Sequence, residues 1–159
     1  MRENETVAAQ AEVFGSVFLI AQHLSKRADR ELADLGLTAR QWLLLAVLTK
    51  TFPGVSPTLS EAAQEYGSSR QNIKQMALGL EARGFVRLVA DPADARATRI
   101  ELTERVQAFD EPRMVERTTA MLADTFAGLT PQETRDLRDL SRRLLAGLLT
   151  VPSGEEQRT

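Results

Sequence analysis

Six side chains between Ser69 and Gln75 have the types and the spacing that read nucleic-acid bases. Arginine can fork onto guanine, asparagine or glutamine onto adenine, and lysine onto guanine or phosphate; the run supplies Arg70, Gln71, Asn72, Lys74 and Gln75, opened by Ser69. A solvated helix face draws on similar residues. The clustering of amides with two cations inside six residues, and the absence of an acid until Glu81, favours a reader of base edges.

A second candidate lies downstream in Asp91-Pro92-Ala93-Asp94-Ala95-Arg96. An arginine carried on a slender turn suits a narrow minor groove, where the potential is most negative. Asp94 can fix the backbone or a neighbouring guanidinium. By itself the segment is equally an ordinary polar turn, which Asp, Pro and Ala favour.

The elements around these residues give them a frame. Thr58-Leu59-Ser60-Glu61 and Ser68-Ser69-Arg70-Gln71 both read as capping boxes, which predicts two short helices joined by Gly67. Along the second, Ile73, Met76, Ala77 and Leu80 fall on one face at i, i+3, i+4 and i+7, leaving the polar residues on the other. Two such helices across a tight glycine turn make a helix-turn-helix. Gly84 ends it, Phe85 to Val89 and Thr98 to Leu102 read as strands, and Ala90 to Ala97 form the turn between them, so the unit is winged. Its natural partner is duplex DNA.

Flanking segments are long and amphipathic. From about Thr6 to Leu35, Val7, Ala11, Phe14, Phe18, Ala21 and Leu24 recur at helical spacing, with Gly36 as the stop. Thr38 caps a second helix whose Trp42 to Leu48 run is apolar on nearly every side, which predicts a central position in the core. Thr103 caps a helix running to about Ala127 with a kink at Pro112, and Thr130-Pro131-Gln132-Glu133 starts a last helix carrying Leu137, Leu140, Leu144, Leu145 and Leu148. The expected fold class is mainly α with a small β-hairpin wing. Arms of this length around a compact reader suggest that two chains pair through them.

The chain has 159 residues, 43% of them apolar, enough for one sizeable core. It has no cysteine, which excludes disulfides, Cys-ligated zinc and thiol redox switching. The N-terminus lacks an apolar signal core and the contiguous apolar runs are too short for a bilayer, so the expectation is a cytoplasmic protein without a membrane partner. Net charge is −2, yet residues 68–100 hold six basic and three acidic side chains and form the only positive segment. A local footprint on phosphates belongs there. No paired-carboxylate site, glycine-rich phosphate loop or nucleophile-base pair is evident, which argues against an enzyme, and a lone histidine gives no metal site. No cofactor is expected.

Several of these stretches together resemble the MarR (multiple antibiotic resistance regulator) family of transcriptional regulators. They are Leu37-Thr38-Ala39-Arg40-Gln41-Trp42, Leu59-Ser60-Glu61-Ala62-Ala63, Ser69 through Gly84-Phe85-Val86, the Asp91 to Arg96 turn, and Ile100-Glu101-Leu102-Thr103. The resemblance covers essentially the whole chain. It implies a single domain, with dimerisation helices at 1–36 and 104–150, a DNA-binding lobe at 38–103 and a flexible tail at 151–159. It further implies a homodimer that binds a pseudo-palindromic operator, with Ser69, Arg70, Gln71, Asn72, Lys74 and Gln75 facing the major groove, Arg96 the minor groove and Arg40 a phosphate. Release by a small molecule is implied as well. Phe14, Phe18, His23 and Trp42 are candidates for a pocket suited to an aromatic or phenolic effector; the preferred alternative is that Phe14, Phe18 and Trp42 are ordinary core or dimer-interface residues and His23 a surface residue. Departures from the family pattern are Gln75 in place of a frequent arginine, Leu88 in a usually more basic strand, and Gly79 inside the recognition helix. Absence of cysteine excludes the peroxide-sensing branch. The alternative is a winged helix that binds protein, for example an antirepressor that has lost contact with DNA.

Overall fold

The computed structural model describes residues 2–150; the expected flexible tail at 151–159 lies outside the described residues. Helix α1 (Arg2–Glu31) is followed by a 3-10 turn at Ala33–Leu35, then α2 (Ala39–Thr51), α3 (Leu59–Tyr66) and α4 (Arg70–Glu81). Strands β1 (Val86–Ala90) and β2 (Thr98–Leu102) form one antiparallel pair with Leu88 opposite Ile100. A 3-10 turn at Glu104–Asp110 leads to α5 (Pro112–Thr125) and α6 (Pro131–Thr150). The chain divides into two compact units, residues 1–114 and 115–159.

Three helix ends in the first unit close in the same way, and all three use glycine because the closure needs a left-handed residue. Gly36, Gly67 and Gly84 have φ of 67°, 72° and 76°. In each, the glycine N–H and the next N–H bond back to carbonyls three and five residues earlier: Gly67 to Gln64 and Ser68 to Ala63, Gly84 to Glu81 and Phe85 to Leu80, Gly36 to Ala33 and Leu37 to Leu32. These turns swing α2, α3 and α4 around one core. Leu44, Leu48, Leu59, Ile73, Leu80, Phe85, Val86 and Ile100 are its largest fully buried side chains. Phe109 stacks at 5.9 Å on Phe85, and Arg105 lies over the same ring at 5.1 Å.

The structure differs from the sequence-based expectation at four places. Ser68 does not cap α4, because its N–H is used in closing α3; Ser69 does so instead, its hydroxyl accepting from Asn72 N at 3.2 Å, and no reciprocal box forms. Pro112 does not kink a long helix. It is the first residue of α5, and Glu111 before it is extended (φ −61°, ψ 135°), as the clash with a proline ring demands. Helix α2 is not enclosed on every side: Ala39, Leu44, Leu45 and Leu48 are buried, whereas Trp42 and Leu43 are exposed on the other face. Finally, among the described residues, α1 over Asn4–Glu31 is long and apolar enough to cross a bilayer by length and composition alone. Contiguous runs do not reveal this, since Gln10, Glu12 and Ser16 interrupt its apolar residues.

Candidate nucleic-acid interface

Position on α4 is decided by burial of its apolar stripe. Ile73, Met76, Ala77 and Leu80 are buried, which turns Arg70, Gln71, Lys74 and Gln75 to solvent together. Ser69, also exposed, caps the helix. Asn72 is half-buried, and its Nδ2 donates to Ser68 Oγ at 2.7 Å, so part of its amide is committed to the turn rather than to a ligand. Arg40 is exposed in the first turn of α2, beside the place where Tyr66 Oη donates to its carbonyl at 3.3 Å.

The hairpin tip is built by two acids that act differently. Asp91, the one buried charged side chain among the described residues, takes Ala93 N and Asp94 N on Oδ1 at 2.7 and 3.1 Å and the Arg99 Nε–H on Oδ2. The Ala93 N–H, with the Arg99 guanidinium beside it, holds the Asp91 carboxyl below its usual range against the opposing effect of burial. Arg99 in turn donates Nη1 to Ser56 O at 2.6 Å. Asp94 shapes the backbone of the loop, where its Oδ1 accepts from Arg96 N at 2.9 Å and its carbonyl accepts from Ala97 N at 2.9 Å. This short loop leaves Arg96 exposed.

Asp91 and Arg99 brace the hairpin through these bonds, a pairing that types and spacing in the sequence do not single out. Their pairing is foreshadowed by the register, since a hairpin with Val89 opposite Arg99 brings Arg99 close to the residue where the turn begins. Leu88 is half-buried and packs on the core, which explains an apolar residue in this strand. Of the possible pocket residues, Phe14 and Phe18 meet edge-to-face at 5.0 Å. Both are exposed on α1, at 69% and 61%, as are His23 and, on α2, Trp42. Within the protomer these four side chains face solvent.

Residues 35–97 match the model of the MarR family. No curated protein matches the sequence closely enough to be counted a relative. Solved structures share the fold over most of their length. A crystal structure of MarR is 23% identical with a TM-score of 0.72, covering 87% of this chain and 98% of that one. A MarR-family transcriptional regulator from Streptomyces coelicolor in complex with DNA is 24% identical with a TM-score of 0.71, covering 93% and 91%. Reduced AbfR bound to DNA is 21% identical with a TM-score of 0.63, covering 94% and 99%. The match to the family model takes in α2, the helix-turn-helix, β1 and the hairpin turn, and the fold as a whole is the one these MarR-family structures share.

Proposed function

We propose that the protein is a homodimeric, sequence-specific DNA-binding repressor that occupies an inverted-repeat operator and is released by a small aromatic or phenolic ligand. The observation that carries this reading is the sorting of α4: one face buried without exception, the other presenting Arg70, Gln71, Lys74 and Gln75 in the N-terminal half of the helix. Twelve residues of α4 span about 18 Å, and the B-form major groove, about 12 Å wide, admits a helix end carrying such side chains. Arg96 on the neighbouring wing supplies a cation for the adjacent minor groove. Two of the structurally similar proteins were solved with DNA, which supports the same partner here.

Pairing is supported by α1 and α6, each considered by itself. Val13, Val17, Ile20 and Leu24 on α1, and Leu137, Leu140, Leu144 and Leu148 on α6, recur at spacings of three and four and are all exposed. Apolar faces of this extent on a protomer are covered by another surface. The same covering explains why α1 has a bilayer-like composition while carrying Glu12, Gln10 and Gln22, which lipid would penalise. A ligand pocket drawing on Phe14, Phe18, His23 and Trp42 requires such a second surface to close over them. Repression follows sterically from a dimer that covers a promoter.

The test is a footprint of the purified protein on DNA upstream of its own gene, with and without aromatic acids and phenols. Two protected half-sites centred about one helical turn apart, roughly 10 bp, are expected. Uniform, sequence-independent protection, or a protein that binds another polypeptide and no DNA, overturns the reading.

A further inference from the structure

Both outer edges of the wing hairpin are tied down at the same rung. Residues of an antiparallel pair that do not exchange hydrogen bonds turn their N–H groups outward. The bonds from Asp91 N to Ala97 O and from Thr103 N to Phe85 O set the alternation, so the Leu88–Ile100 pair faces out on both sides. Each outward N–H has a partner. Leu88 N donates to Glu81 Oε1 at 2.8 Å, and Ile100 N donates to Pro57 O at 2.9 Å. One tie therefore comes from the last residue of α4 and the other from the segment leading into α3.

The two ties differ in kind. Pro57 O is a backbone acceptor, reinforced next door by Arg99 on Ser56 O. On the α4 side the acceptor is a side chain, the first acid after the reading residues. Leu88 N lies at an accessible edge, so water can replace a missing carboxylate and the hairpin persists. What changes is its angle. The wing extends on the order of 15 Å beyond this rung, so a rotation of about 10° at the base moves the tip by roughly 3 Å, enough to break a hydrogen bond.

We propose that Glu81 is a positioning residue that fixes the wing to the recognition helix, so that Arg96 and Arg70 engage adjacent grooves in one rigid geometry. This rests on the DNA-binding reading above. The experiment compares wild type, E81A, E81Q, R96A and E81A/R96A in full-length protein by fluorescence anisotropy on the footprinted operator fragment at fixed salt. Loss of a negative charge near phosphates strengthens binding, so E81Q, which keeps an oxygen acceptor for Leu88 N, is expected to bind at least as tightly as wild type. E81A is expected to bind about five- to tenfold more weakly, the scale of one ordinary solvent-exposed hydrogen bond, and E81A/R96A no more weakly than R96A. Thermal midpoints of E81A and E81Q should agree closely. If E81A binds like E81Q, or its effect multiplies with that of R96A, the positioning role is overturned while DNA binding stands. If wild type binds no DNA fragment, both readings fall together.

Discussion

A Cβ placed on Gly79 would lie 2.5 Å from Gln41 Nε2, and Gln41 Oε1 is meanwhile held by Thr38 N at 3.1 Å as half of the α2 capping box. Glycine inside a helix costs about 1 kcal/mol relative to alanine, so the sequence presents Gly79 as a defect. The structure gives it a reason, because the amide cannot yield to a methyl group without loosening its hold on Thr38, a loss of about 0.5–1.5 kcal/mol. The two effects nearly cancel. Gly79→Ala should therefore leave the urea midpoint almost unchanged in wild type and raise stability by about 1 kcal/mol in a Gln41→Ala background; a full gain in both backgrounds would refute the coupling. At the residues proposed to read bases, Arg70→Ala should cost about 1–3 kcal/mol of operator affinity and relax base preference in its half-site, measured by competition with single-base variants. Types and spacing alone place Arg70, Gln71, Lys74, Gln75 and Arg96 on exposed positions, where the structure has them. They mark Asp91 only as part of the turn, because an acid that begins a turn and an acid that anchors a guanidinium look identical until the strands are paired.

Helix ends are the most legible elements. Thr38 and Thr58 cap their helices with Gln41 and Glu61 answering in reciprocal boxes, and Gly36, Gly67 and Gly84 close helices as glycine at those positions implies. Ambiguity enters where one residue can serve two neighbouring ends. Ser68 is such a case, and Pro112, fit either to kink a helix or to begin one, is another. Since Ser69 alone caps α4, Ser69→Ala should destabilise the protein by about 1 kcal/mol in chemical denaturation, whereas Ser68→Ala should cost less. Acid should act through the same local bonds. The Thr58 backbone N–H and hydroxyl hold Glu61 below its ordinary 4.5, and the Ala93 N–H holds Asp91 below 3.8. Both are depressed in the folded protein, so the stability they confer is complete above those ordinary values and is lost as pH falls through the lowered ones. Urea midpoints should thus drop as pH falls from about 6 to about 3, and Asp91→Asn should flatten that drop.

At the scale of the whole molecule, the exposed apolar faces of α1 and α6 link the proposed function to the proposed pairing. Phe18 and Leu144 are exposed at 61% and 52% in the protomer, so Phe18→Glu or Leu144→Glu should leave helical content intact while shifting light-scattering mass to that of a monomer. Operator affinity should fall about a hundredfold or more as two half-sites cease to be held by one particle. Sequence periodicity exposes these faces clearly, yet gives α2 too central a place, since Trp42 to Leu48 looks uniformly apolar whether or not a neighbour covers both sides. The core that carries α4 and the wing is made from side chains lying between Ala28 and Phe109. On the proposed function, operator preference is separable from the choice of mate: transplanting that stretch between the outer helices of a distant homologue should yield a chimaera that keeps the donor's target and adopts the recipient's oligomerisation, leaving evolution free to revise either alone.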